Sequence, residues 1–188
     1  MSGRFEDDDI KIAPDDLSQL FKVENPVADD NIDLFIRQRG LGNTEKARAL
    51  GMRFVEELLD CVWTKPPEGV DATTFDLQLK LLFAYAVHRI VEDYSPNSIV
   101  AQGTLSSFYE QLEADDRELY RAVNNCPAFS LYLYLHRSGE ECAETVGKVF
   151  AKLCGMPDNA DCAMLGEGGY ARFYSACAQQ MLTAGYTQ

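Results

Sequence analysis

The chain is short of positive charge. Over 188 residues, 17 lysines and arginines stand against 30 aspartates and glutamates, a formal net charge of -13. Phosphate backbones and anionic membrane surfaces are both held by Lys and Arg, so this deficit argues against nucleic-acid and membrane-surface partners. Long apolar runs are missing as well. The most apolar uninterrupted stretch, Leu81 to Val87, has seven residues, where a helix needs about 20 to span a bilayer. The opening Met1-Ser-Gly-Arg-Phe-Glu-Asp-Asp-Asp places acids where a secretory signal carries a basic and then an apolar region. Neither membrane insertion nor secretion is expected.

Metal-type spacings are absent too. The six cysteines, Cys61, Cys126, Cys142, Cys154, Cys162 and Cys177, include no Cys-x-x-Cys pair, so neither a zinc ribbon nor a dithiol redox centre is spelled out. Scattered thiols that behave as small hydrophobes fit a reducing, cytoplasmic setting. There is no Gly-x-Ser-x-Gly nucleophile elbow, no phosphate-binding loop and no dinucleotide fingerprint. No cofactor, metal or catalytic residue is assigned.

What remains is the balance of a globular protein, 46% apolar and 25% charged. Charge divides the chain: residues 1 to 33 hold ten acids and three bases, whereas Arg37 to Arg53 hold five bases and one acid. Residues 1–28 read as an acidic arm, its first dozen residues disordered and a short helix following Pro14. Residues 29–188 read as a helical domain. Arg37, Arg39, Lys46, Arg48 and Arg53 are candidate contacts for the arm, from the same chain or a second copy.

From residue 43 the 3.6-residue period dominates. Asn43 or Thr44 is expected to cap a helix ended by Lys65-Pro66-Pro67, and Asp71 to open one that is apolar on nearly every side, the mark of a central helix. Its only polar stripe is Asp76, Lys80, His88 and Glu92. Ser95-Pro96 opens the next helix, and Asp115 or Asp116 a short one after it. Phe129 to Leu135 alternates like a strand but has no partner strand, so it is assigned as helix after Cys126-Pro127. Ser138 and Glu141 read as a capping box for a helix ending at Gly155, and Gly166-Glu-Gly-Gly169 as a break before a last helix. The fold class is therefore all-α, a single-domain bundle of about seven to nine helices.

Three constellations could carry chemistry. His88 and Glu92 lie one turn apart and can pair as acid and base or as part of a metal site, although no second ligand-pair helix accompanies them. The structural reading, a histidine satisfied by its carboxylate, is preferred. His136 has Glu140 and Glu141 close behind, but Ser138-Gly139 ends the helix between them, so His136 is read as a C-terminal cap. Asp29-x-Asn31-x-Asp33 begins like a calcium loop and then fails at Leu34 and Gly40, where glycine and glutamate are required. Eight of the nine tyrosines fall on expected helices, where they would line either a core or a pocket.

The expectation is a non-catalytic protein-protein interaction or oligomerisation module, binding a protein partner or a second copy. The alternative is a small-molecule binder or enzyme built on a His/Glu/Tyr pocket between helices.

Overall fold

The computed structural model describes residues 26–60 and 65–187. These form eight helices: α1 (Pro26–Gly40), α2 (Asn43–Leu59), α3 (Ala72–Tyr94), α4 (Ser98–Asp115), α5 (Arg117–Asn125), α6 (Pro127–Arg137), α7 (Ala143–Leu153) and α8 (Ala160–Thr183). Among the described residues there is no strand, and the Phe129–Leu135 segment lies inside α6. The all-α bundle expected from periodicity is the fold observed. The short helix after Pro14, the disordered first dozen residues, Cys61 and Trp63 lie outside the described residues.

α3 occupies the middle. Leu81, Leu82, Tyr85, Ala86, Val87, Ile90 and Val91 have no exposed surface at all, as a helix apolar all round demands. It meets α2, α4, α5, α6, α7 and α8. Its start is set by Asp71, whose Oδ2 accepts from the Thr74 backbone N–H at 2.8 Å. Around it, α2 runs along α4 and α7 along α8. Both outer pairs are closed by glycine. A Cβ on Gly51 of α2 would lie 2.3 Å from the Thr104 carbonyl oxygen of α4, and one on Gly147 of α7 would lie 2.4 Å from the Ala163 carbonyl oxygen of α8.

That packing corrects the expected break at Gly166-Glu-Gly-Gly169, because α8 runs through it without interruption. Gly166 faces Phe150 of α7, whose Cβ lies 2.6 Å from where a glycine Cβ would stand. This glycine admits a neighbouring helix rather than ending its own.

Three caps also differ from expectation. Gly42, at φ 72°, caps α2, while Asn43 is buried and serves as a clamp. Its Nδ2 donates to Gln38 Oε1 at 2.6 Å and to the Thr187 carbonyl at 2.7 Å, and its Oδ1 accepts from the Thr187 N–H at 3.0 Å. A side chain with two buried donors and an acceptor thus ties α1 and the C-terminal segment to the start of α2. Asn97 rather than Ser95 caps α4, its Oδ1 accepting from the Val100 N–H at 3.1 Å. α7 begins at Ala143 with Cys142 and Thr145 forming the capping box, which leaves Glu141 out of it.

Candidate functional site

Glu141 stands in the short connection between α6 and α7, and its carboxylate reaches inward. Its Oε1 accepts from the hydroxyl of Tyr85 on α3, at 2.8 Å, and from that of Tyr170 on α8. Its Oε2 pairs with His136 Nδ1 of α6 at 2.8 Å and accepts from Arg89 Nε of α3 at 3.2 Å. Three helices therefore converge on one carboxylate, which is largely buried at 14% exposure. Burial works against its charge, but donation from Tyr170, Tyr85 and His136 and the adjacent Arg89 guanidinium outweigh burial and hold the carboxyl below its ordinary range.

Arg89 extends the network along α3. Its Nη1 donates to Glu92 at 2.9 Å, and its Nη2 spans both oxygens of Asp93 at 2.9 Å each. At three and four positions along a helix those acids are its natural neighbours. Asp93 in turn accepts from the Tyr174 hydroxyl at 2.8 Å. Burial opposes the charge on Arg89, and Asp93, Glu141 and Glu92 more than restore it, so the guanidinium stays charged. Burial, followed by the hydrogen bonds to Glu141 and its charge, pushes the Tyr85 and Tyr170 hydroxyls far up. These tyrosines donate and do not ionise.

His88 and Glu92 approach as their spacing requires, Nδ1 to Oε1 at 3.6 Å, but this is too long for a hydrogen bond and the buried Nδ1 has none. Burial dominates at His88 and lowers its pKa, Arg89 adds to that, and Glu92 only partly opposes them. Its ring lies edge-on to Phe129, centroids 5.9 Å apart. His136 lies in the last turn of α6, where its reading as a C-terminal cap puts it, and also bonds Glu141, because the turn at Ser138-Gly139 folds the chain back across the end of α6. Gly139, at φ 72°, permits that reversal. Arg89 donates both to Glu92, near His88, and to Glu141, the partner of His136. Among the described residues no group of three or more His, Cys, Asp or Glu side chains is placed to hold a metal.

The five basic candidates divide. Arg37, Arg39, Arg48 and Arg53 are exposed, Arg48 pairing at the surface with Glu110 of α4 at 3.3 Å, whereas the half-buried Lys46 donates to the Gly185 carbonyl at 2.6 Å. Arg39 and Arg48 line a groove of about 520 Å³ between α1, α2 and α4, together with Phe35, Glu45, Ile99 and Glu110. Beside that groove α1 exposes Ile32, Phe35 and Ile36, at 56%, 45% and 62%.

Sequence reasoning missed Arg89, Asp93 and the inward role of Glu141. A lone arginine in an otherwise buried helix, with acids three and four positions later, was the available signal for the first two. Local spacing placed Glu141 close behind His136, but nothing local announced its contacts with Tyr85, Arg89 and Tyr170.

No helix among the described residues is long and apolar enough to cross a membrane. Comparison with family models, with curated proteins and with solved structures finds no match.

Proposed function

We propose that this protein is a non-catalytic self-association module whose contact face is the exposed side of α1. The observation that carries the reading is the stripe of Ile32, Phe35 and Ile36, three large apolar side chains left in solvent at positions i, i+3 and i+4 of one helix. Single exposed hydrophobes are ordinary, but a row along one helix is the form in which helices recognise each other.

Charge supports a second copy as the occupant. Along α1 Asp33 precedes Arg37 and Arg39, which fill the last turn. Two such helices packed antiparallel about a two-fold axis bring Asp33 of each against the basic turn of the other. Phe35 and Arg39 also line the groove beside α4, so the contact surface continues beyond the helix itself.

Sedimentation equilibrium of the full chain over a range of concentrations tests this. The expected result is a concentration-dependent dimer that Phe35→Glu and Ile36→Glu each return to monomer, and that weakens but survives at high salt. Exposed charge is screened beyond about 8 Å at physiological ionic strength whereas apolar burial is not. A single monomeric mass at every concentration would overturn the reading.

The ligand-binding or enzymatic reading draws less support. Of its expected pair, Glu92 stands 3.6 Å from His88 and already accepts from Arg89, and both oxygens of Glu141, beside His136, already accept from Tyr85, Tyr170, His136 and Arg89.

A further inference from the structure

The tyrosines around Glu141 form a continuous series. Tyr94, 40% exposed, lies edge-on to Tyr174 with centroids 6.5 Å apart. Tyr174 lies 5.9 Å from Tyr170 one turn earlier on α8, and Tyr170 stacks on Tyr85 of α3 at 6.0 Å. A phenol gives up an electron readily only if its proton can leave at the same time, because the phenol radical cation is a very strong acid. Each inner member of the series has such an exit. Tyr174 donates to Asp93 at 2.8 Å, Tyr85 to Glu141 at 2.8 Å, and Tyr170 to the same Glu141 oxygen. Hydrogen-bond reach is the condition for proton transfer, and all three hydroxyls meet it.

We propose that Tyr94, Tyr174, Tyr170 and Tyr85 form a one-electron relay, which takes oxidising equivalents from a one-electron oxidant at the surface and lodges them on the buried Tyr170–Tyr85 pair, with Glu141 as proton acceptor. The oxidant removes one electron from Tyr94, is itself reduced, and the hydroxyl proton goes to water. Tyr174 then reduces the Tyr94 radical and passes its own proton to Asp93, while Tyr94 regains a proton from water. In the next step Tyr170 gives an electron to the Tyr174 radical. The Tyr170 O–H bond breaks toward Glu141, and the Asp93 proton returns to Tyr174.

In the exchange between Tyr170 and Tyr85 one electron passes from Tyr85 to the Tyr170 radical, while Glu141 returns its proton to Tyr170 and takes up the Tyr85 proton through the same carboxylate oxygen. The series stops there for a physical reason. Tyr132 stacks on Tyr85 at 5.2 Å, yet its buried hydroxyl has no hydrogen-bond partner and hence no route for a proton. Arg89 binds both Asp93 and Glu141, so the two proton acceptors are held in register by one guanidinium.

The test uses the full chain carrying Trp63→Phe, which removes the competing indole. A photo-excited ruthenium polypyridyl complex with persulfate serves as the one-electron oxidant, and ring-deuterated tyrosine identifies the radical by electron paramagnetic resonance. The expected result is a long-lived neutral tyrosyl radical. Its yield falls several-fold in Tyr174→Phe, its lifetime shortens in Glu141→Gln, and it disappears in the Tyr85→Phe/Tyr170→Phe double variant. Tyr174→Phe removes only the half-exposed hydroxyl bonded to Asp93, so it decides the matter even if the double variant does not fold. An unchanged yield of long-lived radical in Tyr174→Phe, or its persistence in a folded double variant, would overturn the proposal.

Discussion

Arg89 and Glu141 are 52 positions apart, and the guanidinium Nε meets the carboxylate Oε2 at 3.2 Å in a setting where Arg89 is only 9% and Glu141 only 14% exposed. The pair joins the central helix to the α6–α7 connection, and each partner fills its remaining capacity elsewhere, Arg89 on Glu92 and Asp93, Glu141 on two tyrosines and a histidine. Charges taken this far from water are tolerable only when so fully paired. Removing one partner then costs more than one contact is worth, since the others are left desolvated.

Glu141→Ala should therefore destabilise the protein by about 3 kcal/mol, near the lower end for breaking a buried ion pair because the site is not wholly dry. Glu141→Gln, which keeps the shape but loses the charge, should cost less. Urea titrations of the two variants against the parent measure both; equal stability of all three would show that the network contributes nothing.

The same group makes stability depend on acid. Glu141 is held below its ordinary carboxyl value of 4.5, so the folded state binds its proton less readily than the unfolded chain does. The contribution is present above the unfolded pKa and is lost as pH falls from there through the lower folded value. The melting-temperature gap between the parent and Glu141→Gln should shrink over that window and be steady above it.

His88 acts in a higher window. Burial depresses its pKa below 6.5, so the folded state favours the neutral ring, and stability falls as pH drops from 6.5 toward the folded value, where the unfolded chain gains a proton that the fold resists. His88→Gln should flatten that part of the stability profile relative to the parent. A profile of unchanged slope would place the titration on another group.

Much of the fold was legible because periodicity is local. α3 was recognisable as central from its apolar circumference, and Asp71 as its cap, since both follow from residues a few positions apart. The glycines of α8 misled for the opposite reason: a helix-breaking composition at 166–169 is overridden by the contact of Gly166 with Phe150, which only the packed α7–α8 pair reveals. The His88–Glu92 approach was readable from one turn of helix. The Glu141 hub was not, because its four partners come from α3, α6 and α8, and His136 meets it only through a reversal that sequence reasoning took as a separation.

Cysteine chemistry should follow burial. Cys142 is exposed at the start of α7, where hydrogen bonding with Thr145 lowers its pKa, whereas burial pushes Cys154 and Cys177 up to about 12 and raises Cys162. Because the thiolate is the reactive form, a thiol reagent followed by peptide mass mapping should label Cys142 well before these three in the native protein. Denaturation should remove the difference.

Glycine substitutions in α7 and α8 separate packing from propensity. A methyl group at Gly147 would stand 2.4 Å from the Ala163 carbonyl and 3.0 Å from the Glu167 backbone nitrogen, so α7 and α8 must part to admit it. Overpacking of this kind costs about 1–3 kcal/mol, and backbone atoms cannot swing aside as a flexible side chain can. At Gly168 an added Cβ meets nothing within 4 Å, and there the alanine gain in helix propensity is unopposed. Gly168→Ala should thus stabilise by up to about 1 kcal/mol while Gly147→Ala destabilises, although both place the same residue within a helix. Thermal or urea unfolding of the two variants decides it: the same sign for both would mean that the close α7–α8 approach does not govern stability.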